Sequence, residues 1–121
     1  MFKKLEDIEI WRRGCRYAVD VYRITYQEPL SKDWGLRDQI RRSAISIPSN
    51  ISEGSGSRTI KDNNRFLYIG GGSAFELESQ MYLAMDLKYT PKEIAVPVIE
   101  HIDRVKMLIN GTIRYHNSQM K

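Results

Sequence analysis

Leu36-Arg37-Asp38-Gln39-Ile40-Arg41-Arg42-Ser43-Ala44-Ile45-Ser46-Ile47-Pro48-Ser49-Asn50-Ile51-Ser52-Glu53-Gly54 is the stretch on which the fold turns. Leu36, Ile40, Ser43, Ile47 and Ile51 recur at steps of four, three, four and four. That period brings side chains to one face of an α-helix, while the arginines and Asp38 between them suit the face toward water. Pro48 falls inside the stripe, where it removes one backbone hydrogen bond and crowds the carbonyl of Ala44. Two geometries accommodate it: a kinked but continuous helix, or one that stops near Ile47 and resumes after Asn50. The apolar phase running on through Ile51 favours the kink, and the spacing predicts a helix over about 34–53.

The same period repeats on both sides of this helix. Upstream, Ile8, Trp11, Cys15, Ala18, Tyr22 and Thr25 predict a helix over about 7–26, with Val19 and Tyr26 widening its apolar stripe. Glu28-Pro29-Leu30-Ser31-Lys32 interrupts it, and Ser31 or Asp33 is placed to cap the next helix. Downstream, Gly54-Ser55-Gly56-Ser57 reads as a loop, with Thr59 or the serine before it as the next cap. Phe66, Leu67, Gly70, Ser73, Ala74, Leu77, Met81, Ala84 and Leu87 then form the buried face of a helix over about 60–87. Gly70-Gly71-Gly72 within it costs about 1 kcal/mol per glycine relative to alanine, a cost offset if another helix approaches closely. A fourth helix over about 91–115 carries Ile94, Val98, Ile102, Val105, Ile109 and Ile113, with Thr90 as expected cap and Pro91 at its first position. The polar tail after Tyr115 is expected to fray.

Four amphipathic helices joined by short loops predict an all-α, antiparallel, up-down-up-down four-helix bundle in one domain. At 121 residues, 41% apolar and 28% charged, the chain has enough hydrophobic material for one core. A single cysteine, Cys15, excludes an internal disulfide framework and suits a reducing compartment. Met1 to Asp7 turns acidic before any apolar run and does not read as a signal peptide; no stretch matches a membrane span. A cytoplasmic protein is expected.

No catalytic constellation is visible. His101 and His116 lack the Glu-x-x-His pairing of metal sites in bundles, and Cys15 lies on the apolar stripe as an expected buried, inert thiol. The glycine-serine loop lacks the lysine of a phosphate loop and the strand that should precede one, although Arg58 and Lys61 beside a helix start could hold an anion. Of Glu76 and Glu78, one is expected to turn toward the core and pair with Arg41 or Arg42. The chain is therefore expected to be non-enzymatic, without metal or cofactor.

The basic residues point elsewhere. The net charge of +4 lies wholly in the first half: residues 1–65 hold 13 Lys/Arg against 9 Asp/Glu, and residues 66–121 hold 6 of each. Arg12, Arg13, Arg16 and Arg23 lie on the first helix, Arg37, Arg41 and Arg42 on the second, and Arg58, Lys61 and Arg65 at the third. Arginine's planar fork suits phosphate, so these ten are the candidate contacts to an RNA or DNA backbone. Glu9–Arg13, Arg16–Asp20 and Asp38–Arg42, each four apart, are the competing internal ion pairs. Trp34, Tyr68 and Tyr82 are candidate anchors for a protein partner instead.

The run from Leu36 to Gly54 also resembles the hallmark of a bacterial four-helix-bundle family first noticed as open reading frames within intervening sequences of 23S ribosomal RNA genes. Arg65-Phe66-Leu67-Tyr68-Ile69, followed by Gly72-Ser73 and Glu76-Leu77-Glu78, is similar to its second motif, and Leu5 to Trp11 to its first. The resemblance implies an antiparallel bundle assembled as a homopentamer. In a related branch, the accessory variability proteins of diversity-generating retroelements, it implies binding of nucleic acid and a reverse transcriptase through a positive surface. Ser43 and Ser52 depart from the family's usual alanines, Gly70 replaces another, and Ser57 stands where an arginine is common. That last departure weakens an anion site in the loop.

Overall fold

Amphipathic helices hide their apolar stripes by packing on one another, and the contacts made by glycines and termini show how these four do so. The computed structural model describes residues 8–120. It contains α1 (Glu9–Thr25), α2 (Trp34–Ser55), α3 (Ile60–Asp86) and α4 (Lys92–Gln119), with one 3-10 turn at Leu30–Lys32. Gly14, early in α1, packs on Pro48 and Ile51, late in α2. Gly54 near the end of α2 meets Asn63 and Phe66 near the start of α3. Asn64 in turn bonds Asn117 in the last turn of α4, 3.0 Å away. Arg23 and Ile24 at the end of α1 share a cleft with Pro91 and Ile94, where α4 begins. Each helix therefore runs against its neighbour, α1 closes on α4, and the up-down-up-down bundle follows.

The core is a column of fully buried side chains: Val21 from α1, Ile40, Ile47 and Ile51 from α2, Leu77 and Met81 from α3, Ile102 and Ile109 from α4. Burying each such side chain contributes about 1.5–3 kcal/mol. α2 runs unbroken through Pro48, so the continuous geometry holds, and the proline ring is buried against Gly14 of α1. The helix also continues to Ser55, so Gly54 is a packing residue and not part of a loop. A Cβ there would come within 2.6 Å of the Asn63 side-chain oxygen and 3.0 Å of the Asn63 carbonyl oxygen. Gly70 lets α3 approach α2 as its sequence suggests, lying against Asn50 and the Ile47 carbonyl; Gly72 faces open space.

Caps set most boundaries. The Asp33 carboxylate accepts from the Leu36 N–H at 3.1 Å, and the Thr59 hydroxyl accepts from the Asp62 N–H at 3.0 Å. Lys88, in the left-handed region with φ of 62°, ends α3 without a glycine, and the Tyr89 N–H returns to the Ala84 carbonyl.

Four expectations are corrected. Pro91, not Thr90, is the N-cap of α4, because Thr90 is buried against the end of α3 with its N–H turned to the Ala84 carbonyl. The end of α4 does not fray at Tyr115 but continues to Gln119, held by bonds from Asn64 to His116 and Asn117. Leu87 and Ile94, assigned to buried faces, are exposed where α3 ends and α4 begins. The buried stripe of α1 is Gly14, Tyr17, Ala18, Val21, Ile24 and Thr25, turned away from Val19 and Tyr26, both exposed. Tyr22 and Tyr26 instead form a rim for an arginine described below. The expected helix start at Asp7, and the motif residues before Ile8, lie outside the described residues.

Candidate nucleic-acid interface

Ten basic side chains were candidates, and the helices sort them by what each already touches. Arg41 is occupied inside the molecule: its Nε donates to the Thr25 hydroxyl at 2.8 Å, and its guanidinium lies 5.1 Å from the Tyr22 ring centre and 4.8 Å from that of Tyr26. Arg37 is likewise engaged, donating to the Ser31 carbonyl at 3.1 Å and to Asp38 at 3.0 Å. These two fasten the start of α2 to the end of α1 and to the turn between them. Arg42 projects into solvent.

On α1, Arg13 donates to Glu9 at 3.0 Å, as the four-residue spacing predicts. The other two spacings form different pairs: Asp20 faces Arg23 at 3.8 Å, and Asp38 takes Arg37. Arg12 and Arg16 are exposed and make no ion pair among the described residues. Successive turns of α1 rise 5.4 Å, so Arg12, Arg16 and Arg23 form a ladder of cations along one helix.

Arg58, Lys61 and Arg65 lie at the start of α3, at the same end of the bundle as Arg12 but on the diagonal helix. Arg65 stacks 4.4 Å from the Phe66 ring centre and lies 4.0 Å from Asp62. The Thr59 hydroxyl already takes up the Asp62 N–H, one of the donors that an anion at Arg58 and Lys61 would use. The ten residues thus divide between the two ends of the bundle and do not form one patch.

Sequence reasoning missed Arg104. It lies on α4 across from Arg13 and Arg16, and the three arginines line one cleft with Tyr17, His101 and Val105. The signal was weak, because residues 66–121 are charge-balanced and the apolar stripe of α1 was widened toward Val19 and Tyr26 instead of Tyr17. Cys15 next to it is half-buried, and that burial pushes its thiol up, away from nucleophilic character.

Glu76 and Glu78 do not reach Arg41 or Arg42. Ser43 donates to Glu76 at 2.6 Å, and Lys106 of α4 pairs with Glu78 at 3.1 Å. Arg41 is held on the α1 side, whereas α4 presents its one buried lysine to α3. Desolvation works to lower the Lys106 ammonium, but hydrogen bonds to Glu78 and Asp103 outweigh it and hold the pKa above the usual lysine range. Its Nζ also sits 3.9 Å from the Phe75 ring centre.

Trp34, Tyr68 and Tyr82 are exposed as expected, at 71%, 62% and 51%. Tyr68 and Phe75 flank an apolar groove of about 190 Å³ between α3 and α4, floored by Gly71, Ile109 and Ile113. Among the described residues no helix is long and apolar enough to cross a membrane. No curated protein matches the chain. The sequence profile of the 23S rRNA-intervening sequence proteins matches residues 6–111, spanning most of the bundle, and the chain belongs to that family.

Proposed function

We propose that this protein is a non-enzymatic, homo-oligomeric accessory protein of the cytoplasm that binds the phosphate backbone of RNA or DNA. The observation that carries the reading is the α1 surface: Arg12 and Arg16 stand exposed without a carboxylate partner among the described residues, Arg23, facing Asp20, continues the ladder, and Arg104 joins it from α4. Exposed guanidinium groups on a rigid helix are suited to phosphate oxygens and carry no information about base sequence. Arg42, Arg58 and Lys61 add exposed charge at the two ends; Arg37 and Arg41 serve the fold first.

Self-association supplies what one chain lacks. A charge of +4 is a weak field, whereas five chains carry +20 and bind a polymer with avidity. The groove flanked by Tyr68 and Phe75 is apolar enough to serve as the contact between copies. The same exposed aromatics favour a second reading, in which the bundle docks a partner protein, such as a reverse transcriptase, and nucleic-acid binding is incidental.

The test is a titration of labelled structured RNA and duplex DNA at low and near-physiological salt, with heparin as competitor. Affinity should fall as a power of salt concentration, with an exponent of about 0.9 per phosphate engaged on duplex. The double variant Arg12→Gln, Arg16→Gln should weaken binding with helicity unchanged. Binding that disappears near physiological salt, or prefers heparin, would refute the nucleic-acid role and favour the docking module.

A further inference from the structure

Tyr17 poses a question that the surface arginines do not. It is 2% exposed, and its hydroxyl is buried without a hydrogen-bond partner among the described residues. Buried polar atoms in native interiors are nearly all satisfied, and an unsatisfied one is costly. Among the described residues the Tyr17 hydroxyl shares that condition only with the Gln80 amide oxygen on α3. Other buried polar groups are paired, the Thr25 hydroxyl donating to the Tyr22 carbonyl, Ser43 to Glu76, and Asn64 to Asn117. Phenylalanine would fill the same volume without the orphaned oxygen, so packing does not account for a tyrosine.

Tyr17 lines a cleft of about 70 Å³ between α1 and α4, walled by Arg13, Arg16, His101, Arg104 and Val105. Among the described residues no carboxylate lines it. Glu9 neutralises Arg13 at the rim, Asp20 is turned to Arg23, and Asp103 to Lys106. Arg16 and Arg104, on facing helices, keep no anionic partner among the described residues. Two such cations across a small opening repel each other unless negative charge lies between them. The cleft is small but open at its mouth, and it has room for a single tetrahedral oxyanion between the two guanidinium groups.

We propose that the α1–α4 cleft binds one phosphate-class oxyanion, with Arg16 and Arg104 as paired guanidinium donors and the Tyr17 hydroxyl as the buried donor beneath them. The arginine forks make charge-assisted hydrogen bonds to two oxygens of the anion. A third oxygen accepts from Tyr17, and His101 at the mouth adds a ring N–H. Burial, and secondarily the charge of Cys15, push the Tyr17 phenol far above its ordinary range, so it remains a donor at every physiological pH. The arginines are long and flexible, and they turn aside to admit the anion to the hydroxyl. The occupant is inorganic phosphate or one phosphodiester of a nucleic-acid backbone; both present the same oxygens. The site shares Arg16 and Arg104 with the surface proposed above but does not depend on it, because a free anion fills the cleft whether or not RNA binds.

The experiment titrates inorganic phosphate calorimetrically into the full chain, in phosphate-free buffer with ionic strength matched by chloride. Wild type, Tyr17→Phe, Arg104→Gln and Arg114→Gln are compared after circular dichroism has confirmed equal helicity. One saturable site per chain is expected in wild type and in Arg114→Gln, an exposed arginine outside the cleft, with affinity about tenfold or more weaker in Tyr17→Phe and Arg104→Gln. Tyr17→Phe keeps the ring and decides the matter if Arg104→Gln fails to fold. A second arm repeats the comparison with a ten-nucleotide RNA lacking terminal phosphates. Loss of RNA affinity in Tyr17→Phe identifies a backbone phosphodiester as occupant; a response to inorganic phosphate alone identifies a free anion. Phosphate acting no differently from chloride, together with RNA binding equal in wild type and Tyr17→Phe, would overturn the cleft and leave the broader nucleic-acid reading standing. Saturable phosphate binding without RNA binding would do the reverse.

Discussion

Where α3 meets its neighbours, most polar side chains are matched in pairs, the buried Gln80 amide oxygen excepted; where α1 meets α4, like charges gather around a hydroxyl with no partner among the described residues. Along α3, Ser43 meets Glu76, the Ser46 and Ser73 hydroxyls lie 2.7 Å apart, Lys106 meets Glu78, and Asn64 bridges to Asn117 and His116. Gly54 and Gly70 bring backbones close enough for such short side chains to touch. Along α1 and α4, three arginines, a histidine and Tyr17 share a cleft instead of closing it. The contrast teaches that one side of the bundle is built to hold itself together and the other retains uncompensated chemistry. Stability variants and binding variants should therefore separate by seam.

The sharpest way to break that contrast is Gly54→Ala. Its Cβ would overlap the Asn63 carbonyl, which cannot rotate away, and overpacking of this kind costs about 2 kcal/mol. The urea midpoint should fall at unchanged slope; an unaltered midpoint would mean that the α2–α3 seam is looser than its contacts. Next in size is Lys106→Met, which keeps the stem but strips Glu78 of its cation. A loss of about 1–2 kcal/mol is expected, below that of a fully buried pair because Glu78 stays in contact with water.

Two hydroxyl deletions then compare the seams directly. Ser43→Ala removes a bond to Glu76 and should cost about 1 kcal/mol. Tyr17→Phe removes an unsatisfied group and, in phosphate-free buffer, should leave stability equal or raised by up to about 1 kcal/mol. Thermal melts of the pair showing the same sign would end the distinction between seams.

The smallest effect is one of pH. Burial lowers the His116 pKa, so the folded chain favours the neutral ring. A depressed histidine contributes stability that is complete above its unfolded value of about 6.5 and is lost as pH falls through the folded value. Melting temperature should therefore slip slightly below about pH 6.5. His116→Gln should flatten that slope, and an unchanged slope would assign it to other groups.

Much of this architecture was legible in the residues. The three-and-four spacing of Leu36, Ile40, Ser43, Ile47 and Ile51, and the matching stripes of α3 and α4, sufficed for four helices in the right places, because burial period is a local property of the chain. Asp33 and Thr59 were each readable as one of two cap candidates for the same reason, and the structure selects them over Ser31 and the serine before Thr59. The α1 stripe was misread because Val19 and Tyr26 are apolar by type yet lie outside the core, where Tyr26 and Tyr22 flank Arg41. That error hid the cleft, since Tyr17 was not placed in the core and Arg104 belonged to a charge-balanced half. Ten basic residues were named as one class; two of them, Arg37 and Arg41, turn out to brace the fold.

By itself, then, the sequence determined that this chain folds as four amphipathic helices, where each begins and ends to within a few residues, and which family it belongs to. Only the tertiary structure decided which cations are spent on internal partners, which glycines carry close contacts, and that Tyr17, Arg16 and Arg104 converge. The reason is physical: helix period and capping act over three or four residues. The environment of a charge or a hydroxyl is set instead by neighbours such as Arg16 and Arg104, which lie far apart along the chain and meet only when α4 closes on α1.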